Sequence, residues 1–595
     1  MTTSAVTVSS SATNAPLELH EAQHRAPRRV TLAVWEWLLL LMAPPAAWLV
    51  LGIVLINQDR QIDAWFYLGY GRAFHALHDL FGWPYYSVRF PVVALNGVFL
   101  SGAHPLIGYA VLRYLLLLAC GVPLYIWANR EFGRVVAVLA YLFLFCNPLL
   151  PRVMLWDLTP FISVPMALAG MIIWLWSDSV GGRFVSGFLL MASIASHAFT
   201  GTAIAAFLTV QMMRRLLAME IGRFVLRDIA ATAAGAAVCF GAGCLYYYAR
   251  VGPFDPWVII SITMDAVRAG HEYAETHRTA FSVWGAREYQ IYVPMLCVAL
   301  CGVLLGRRLF QNTAVAGLWW FGLIYTAAYL AYQFVAGRFV LETFYYFAHL
   351  TLVVYLLVPV IIFELMGRRQ EVARRVAIAG AIGLLALPLA NRLIPAFGPW
   401  LEKAAAGSTF AVLVGVVAAS LIFVAGARVL VRRAGLAPAV CVFLLLVQLL
   451  TLLNPTHRRV FDTRYRARET GVYVAAVQML DVVASKVTPD TRLILWFCSN
   501  EGTVLSLAST VLLYGVSSPW SPEPCDARIG DYERTQLATN PRYVLMVGEQ
   551  PAAFAQEEAS LREQGYRVNL RLAKTIGDDA YHAGIRLVEI EKASR

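Results

Sequence analysis

The sequence predicts an all-α polytopic membrane protein of about thirteen transmembrane helices, with a small α/β soluble domain at its C-terminal end. Three observations lead there. Of 595 residues, 59% are hydrophobic and 14% charged, and the mean hydropathy is +0.61; a soluble core could not absorb that much apolar surface without exposing large patches. Apolar runs of about twenty residues recur between Trp35 and Leu453, each long enough for the roughly 30 Å hydrocarbon core of a bilayer. Arginines gather in alternate connections, as the positive-inside bias requires.

Residues 1–30 are rich in Ser, Thr and Ala and end in a basic stretch of His24, Arg25, Arg28 and Arg29, which reads as a disordered cytoplasmic tail. The membrane region follows over 31–456. Its first span, Trp35 to Ile56, is too long for a cleavable signal and reads as a retained anchor. Further spans are expected near 104–127, 133–150, 158–177, 183–197, 200–216, 229–249, 290–306, 313–335, 346–366, 375–394, 409–431 and 436–454. With the N-terminus inside, the cytoplasmic connections hold Arg130 and Arg134, then Arg183, the group Arg214, Arg215, Arg223 and Arg227, and later Arg307 and Arg308, Arg368 and Arg369, and Arg432 and Arg433. The net charge of +11 is therefore a topology signal, and no nucleic-acid partner is expected. The same polarity puts residues 457–595 outside.

Seven of the nine cysteines lie in apolar spans, where a free thiol behaves as a small hydrophobe. Cys498 and Cys525 remain, and an oxidising compartment would allow them to pair. Two external loops, 57–103 and 251–289, carry aromatic and charged residues and are expected to be structured. Within the first, Trp65 to Tyr70 and Val92 to Leu100 suit amphipathic helices in the interface plane. The tail reads as a helix over 467–486, strands over 493–497 and 543–547, a helix over 551–564 and a strand over 585–590. It contains no dinucleotide-binding glycine pattern, P-loop or zinc spacing.

Acidic groups at a membrane edge are costly, so Asp63, in Ile62-Asp63-Ala64-Trp65-Phe66-Tyr67, and Asp157, after Trp156, are the first functional candidates. Either could take a proton from an attacking hydroxyl or hold a metal. Each could equally cap a helix or pair with Arg60 or Arg152. His197 and His349 are buried-histidine or ligand positions. The set His271, Glu272, Glu275 and His277 lacks the spacing of a zinc motif.

Asp63 with its aromatics, then Tyr85-Tyr86-Ser87-Val88-Arg89-Phe90-Pro91, Asn147-Pro148 leading to Trp156-Asp157, and Phe344-Tyr345-Tyr346-Phe347 occur in an order and placement that resembles the GT-C glycosyltransferases. These are the polyprenyl-phosphate-sugar-dependent enzymes that include protein O-mannosyltransferases and the aminoarabinose transferase of lipid A. The resemblance spans about residues 35–360. It implies inverting transfer of a sugar from a polyprenyl-phosphate donor to a hydroxyl of a glycan, lipid or protein acceptor, at the periplasmic face of a bacterial inner membrane. Asp63 would be the general base and Asp157 a second acid near the acceptor or a metal. Arg89, Arg152, Arg278, Arg287 and Arg338 would be candidates to hold the departing phosphate, and Tyr85, Tyr86, Trp156, His197, Tyr345 and Tyr346 would line the substrate site. A divalent cation, Mg or Mn, is left open.

Two other classes fit the same composition. A transporter or flippase of a lipid-linked or polar solute would share the many spans, although no internal repeat is visible. A polysaccharide polymerase or ligase with a polyprenyl-diphosphate donor would share the chemistry.

Overall fold

The computed structural model describes residues 32–51, 63–102, 105–147, 159–217, 224–265, 313–335, 373–394, 436–452, 463–486, 493–498, 507–515 and 541–593, with isolated positions between them. The expected spans near 290–306 and 409–431, most of 346–366, the tail 1–30 and Cys525 lie outside the described residues.

The apolar runs form helices α1 (Val34–Leu51), α5 (Pro105–Phe132), α6 (Arg134–Cys146), α7 (Pro160–Trp176), α8 (Val180–Ser196), α9 (Thr200–Leu217), α10 (Ala230–Val251), α11 (Thr313–Phe334), α12 (Ala373–Leu393) and α13 (Leu436–Leu452). Their starts follow local chemistry. Pro160 opens α7, where its missing N–H is no loss, and the Ser179 hydroxyl caps α8 by accepting from the Gly182 N–H at 3.0 Å. Among the described residues three helical stretches are long and apolar enough to cross a bilayer, Ile107–Phe132, Leu226–Val251 and Val315–Phe334. Apolar side chains stand exposed in line along the helices, Ile107, Val111 and Leu115 on α5 and Ile378 and Ile382 on α12. Such stripes are unfavourable against water and at home against acyl chains. They mark a membrane protein.

Inside the bundle, two groups of buried polar side chains join helices to one another. Glu36 of α1, fully buried, accepts from the Tyr125 hydroxyl and pairs with Arg134 Nε at 3.0 Å, joining α1 to α5 and α6. Asn147 donates to Gln448 Oε1 at 2.8 Å, and the Gln448 amide donates to the carbonyls of Cys146 and Leu384, joining α6, α12 and α13. Asn147, part of a motif that suggested function, thus has a structural task.

Between α1 and α5 lie α2 (Asp63–Arg72), α3 (Phe74–Phe81) and α4 (Phe90–Leu100). The expectation of an amphipathic helix lying on the interface fails for α2, because Ala64 through Gly71 are all buried. The reason is packing from two sides. Against α4, a Cβ added at Gly71 would sit 2.4 Å from the Asn96 Cβ. Against the 3-10 turn Ser509–Tyr514, a Cβ at Gly69 would sit 2.8 Å from the Leu512 carbonyl oxygen. Only glycine permits either approach.

The C-terminal segment contains α14 (Thr463–Lys486), β1 (Leu493–Cys498), β2 (Tyr543–Gly548), α15 (Pro551–Glu563), β3 (Tyr566–Gly577) and β4 (His582–Lys592). The sheet order is β1-β2-β4-β3, with β1 and β2 parallel and the remaining pairs antiparallel. Strand β3 escaped sequence reading because it is an edge strand with few buried positions, so Arg567, Asn569, Arg571 and Lys574 dilute its apolar signal.

Gly71→Val should overpack the α2–α4 contact and destabilise by about 1–3 kcal/mol. Thermal unfolding of the detergent-purified protein should show a lowered midpoint; an unchanged midpoint would mean that the helices separate at no cost.

Candidate active site

Asp63 is the first residue of α2, and its Oδ1 accepts a hydrogen bond of 2.8 Å from the Tyr86 hydroxyl. Tyr86 is fixed in turn by aromatic packing. Its ring stacks on Phe66 with centroids 4.8 Å apart, and Tyr67 meets it edge-on at 5.2 Å. The α2 sequence places Asp63, Phe66 and Tyr67 at i, i+3 and i+4, so one helical face presents the carboxylate and the two rings together. The turn that carries Tyr85 and Tyr86 is held by Ser87, whose hydroxyl donates to the Pro84 carbonyl at 2.8 Å and whose own carbonyl accepts from Tyr247 of α10 at 2.6 Å.

Three residues after Tyr86 stands Arg89, the cap of α4, only 6% exposed. Its Nη1 donates to Thr159 Oγ1 at 2.9 Å and to the Ser196 carbonyl. The start of α4, the start of α7 and the end of α8 therefore converge on one guanidinium. A cation suits the last carbonyls of α8. His197 Nδ1 lies 3.2 Å from both Arg89 Nη1 and Thr159 Oγ1. The guanidinium lies 3.9 Å above the Tyr85 ring and 5.7 Å from that of Tyr67. Its Nε has no hydrogen-bond partner among the described residues.

Tyr85 and Arg89 also line a cavity of about 180 Å³ between α8, α10 and the helical stretch 257–265. The other walls are almost wholly apolar, among them Phe90, Ile194, Phe240 and Met264. Ile260 and Met264 on its rim are 37% and 50% exposed, so the cavity reaches the protein surface.

Burial raises the Asp63 pKa above the ordinary carboxylate value; the Tyr86 hydrogen bond and the positive field of Arg89 oppose that rise without cancelling it. Tyr86 is pushed upward by burial and then by the neighbouring Asp63, and stays a hydroxyl that donates.

Of the residues proposed from sequence, Asp63, Tyr85, Tyr86, Arg89 and His197 meet in this one place. Asp157, Arg152, Trp156, Arg338, Tyr345 and Tyr346 lie outside the described residues, as do Arg278, Arg287 and the 271–277 cluster. His349 is buried beside Tyr325, with Nδ1 3.5 Å from that hydroxyl. Sequence reading missed Thr159, Tyr67 and the Ser196 carbonyl. Thr159 carried a usable signal, since a threonine directly before Pro160 is a helix-start residue. Among the described residues no three His, Cys, Asp or Glu side chains form a metal-ligating group.

Fold and site together define a membrane protein with a buried arginine on the wall of an apolar cavity and, within reach of that arginine's positive field, an acid held by Tyr86. No protein-family model matches the chain, and no curated protein matches it. Two solved structures resemble it. One is the crystal structure of ArnT from Cupriavidus metallidurans bound to undecaprenyl phosphate, at a TM-score of 0.48 and 16% identity, covering 95% of this chain and 100% of that one. The other is the same protein in the apo state, at a TM-score of 0.47 and 16% identity, covering 93% and 97%.

The raised pKa of Asp63 has a stability consequence whose sign is fixed. Between the unfolded and the folded pKa the native state binds the proton more tightly, so stability falls as pH rises through that window. Above that window the ionised, desolvated carboxylate is a standing penalty. Asp63→Asn, which keeps an acceptor for Tyr86, should match or exceed the wild-type melting temperature at pH 7, and the difference should shrink on acidification. A variant clearly less stable at pH 7 would contradict this.

Proposed function

We propose that the protein is a membrane glycosyltransferase that moves a sugar from a polyprenyl-phosphate donor to an acceptor hydroxyl, with inversion, and that Asp63 is its general base. One juxtaposition carries the reading. A buried guanidinium lines an apolar cavity and lies close enough to a carboxylate to act on it electrostatically, as a reaction between a polar acceptor and a lipid-borne phosphate ester requires. The order of motifs that resembles the GT-C enzymes supports the same assignment.

In the proposed reaction the acceptor hydroxyl gives its proton to Asp63 as its oxygen attacks the anomeric carbon from the face opposite the donor phosphate. The bond from that carbon to the phosphate oxygen breaks, and the electron pair leaves with the polyprenyl phosphate. Charge grows on the phosphate, so a preset cation there favours the transition state over the ground state. Arg89 supplies it. Its Nη1 is occupied by Thr159 and Ser196, and the side chain stands on the wall of the apolar cavity. The stacked Tyr85 holds the guanidinium in plane. The isoprenoid chain would enter the cavity lined by Phe240 and Met264. Tyr86 orients Asp63 and tempers its basicity.

Asp157, Trp156, Arg152, Arg338, Tyr345 and Tyr346 complete the proposed substrate site, with a divalent ion as an open addition and a glycan, lipid or protein as acceptor. The proposed setting is a bacterial inner membrane with the N-terminus cytoplasmic and the C-terminal segment periplasmic. Arginine placement supports it: α8 begins at the basic cluster around Arg183 and ends at Ser196 beside Arg89, so the site lies at the end away from the basic connection.

The test is to incubate the purified protein with a panel of polyprenyl-phosphate and polyprenyl-diphosphate sugars and measure released lipid phosphate. Release only from monophosphate donors is expected. Release only from diphosphate donors would select the polymerase or ligase class, and no release combined with solute movement in liposomes would select a transporter. Asp63→Asn should abolish transfer at normal membrane abundance, whereas near-wild-type transfer would remove Asp63 from the mechanism. Tyr86→Phe deletes the hydrogen bond that lowers the Asp63 pKa. The acidic limb of its rate–pH profile should therefore move to higher pH, with much of the rate retained on the alkaline side. An unmoved limb would mean that the titrating base is another group.

A further inference from the structure

At the far end of α8 from Arg89, roughly 20 Å along the helix axis from Ser196 to Arg183, a second charged cluster has no part in the chemistry above. Asp228, 1% exposed, sits among three arginines. Arg227 Nη2 is 2.8 Å from its Oδ1, Arg183 Nε 3.6 Å from its Oδ1 and Arg215 Nη2 3.7 Å from its Oδ2. Asp178 joins from the turn before α8, 3.2 Å from Arg183 Nη2 and 3.8 Å from Arg215 Nη2. The Arg183 guanidinium lies 4.2 Å above the Trp174 ring, and Arg214 Nη1 donates to Gln211 at 2.9 Å.

The acids do not balance the bases. From Asp178 to Asp228 the chain carries five arginines (Arg183, Arg214, Arg215, Arg223 and Arg227) and three carboxylates (Asp178, Glu220 and Asp228). The surplus is positive and lies partly in the open, with Arg215 and Arg227 31% and 27% exposed. Around it stand some of the most exposed apolar side chains of the described residues, Leu217 at 84%, Met219 at 90% and Leu226 at 80%, with Leu216 beside them. Among the described residues Met219 is the non-glycine residue held at positive φ, 57°, a conformation that glycine or asparagine would adopt more cheaply. Its side chain packs little within the protein, so the fold alone gives no reason for an apolar group there.

We propose that this end of the bundle is a docking site for the phosphate headgroup of an anionic membrane lipid. The arginine forks suit phosphate oxygens. The exposed leucines and methionine suit the acyl chains directly below a headgroup, and a leaflet rich in anionic lipid complements the surplus charge. A soluble acidic protein would match the arginines and leave the apolar rim wet. The site is separate from the sugar chemistry, and its test does not depend on that reading.

The full chain, purified in neutral detergent, is offered phosphatidylglycerol and phosphatidylcholine of matched chain length. Lipid retained is counted by native mass spectrometry, and the melting temperature is followed. Selective retention of phosphatidylglycerol, a raised melting temperature and weakening of both by salt are expected. Arg215→Gln should lower retention several-fold while Arg183 and Arg227 keep Asp228 paired. The double variant Leu217→Ser, Met219→Ser should do the same at positions that do not hold the fold. Equal retention of the two lipids by wild type, or retention unchanged in both variants, would overturn the proposal. So would inorganic phosphate that reproduces the thermal shift, because it would show a free-anion site without acyl recognition.

Discussion

A guanidinium taken out of water must find partners for its donors or cost the fold several kcal/mol, and Arg89 is where this protein meets that demand. Arg89 itself stands at the start of α4, and its partners come from two further helix ends, the Thr159 start of α7 and the last carbonyl of α8, with the Tyr85 ring as a lid. Each partner fixes an element. The α4 cap fixes the turn that carries Tyr86, Tyr86 fixes Asp63, and α8 closes one wall of the apolar cavity. Satisfying one buried charge therefore places the acid, the cation and the cavity at once. The site is built from helix ends because only there does the backbone have carbonyls and hydroxyl caps to spare.

The same accounting of buried polar groups organises the remainder of the bundle. Glu36 draws Tyr125 and Arg134 to it, and Gln448 collects Asn147 and two carbonyls from neighbouring helices. Apolar packing alone distinguishes poorly between helix neighbours in lipid, since an acyl chain is as good a neighbour as leucine. Buried hydrogen bonds supply the missing discrimination. The two charge clusters extend this logic along α8, one at each end of the helix.

Much of this was legible in the sequence, for physical reasons that can be named. The apolar runs showed themselves because a bilayer demands about twenty such residues in a row, so the helices from α5 to α10 fall near their expected limits. Asp63 stood out as an acid at a membrane edge, and Tyr85, Tyr86 and Arg89 stood out through the order of motifs they share with the resembling enzymes. Burial of α2 did not show, because Gly69 and Gly71 reveal their purpose only when Leu512 and Asn96 are placed opposite them. Nor could Ser196 be found, since what it contributes is a backbone carbonyl, which every residue possesses. Thr159 lay between these cases, readable as a helix cap but not as a partner for a residue seventy positions earlier.

The contact between α2 and the C-terminal segment ties residues beyond the last apolar helix to the candidate site. Leu512 presses its carbonyl against Gly69, the Arg72 guanidinium lies 4.7 Å from the Tyr514 ring, and a Cβ at Gly515 would come within 2.5 Å of Ala76. These contacts grip the middle and end of the helix whose first residue is Asp63. The turn at 509–514 is itself backed by α14, where the Tyr514 hydroxyl reaches the Leu480 carbonyl at 3.5 Å, and α14 is tied to β3 through Gln478, which accepts from the Gly577 N–H at 2.9 Å. A ten-residue helix outside the bundle could not hold a carboxylate in register by its own hydrogen bonds, because isolated helices of that length are marginal. With α4 on one side and the C-terminal turn on the other, α2 is held from both. The sheet thus sets the position of an acid that lies more than four hundred residues earlier in the chain.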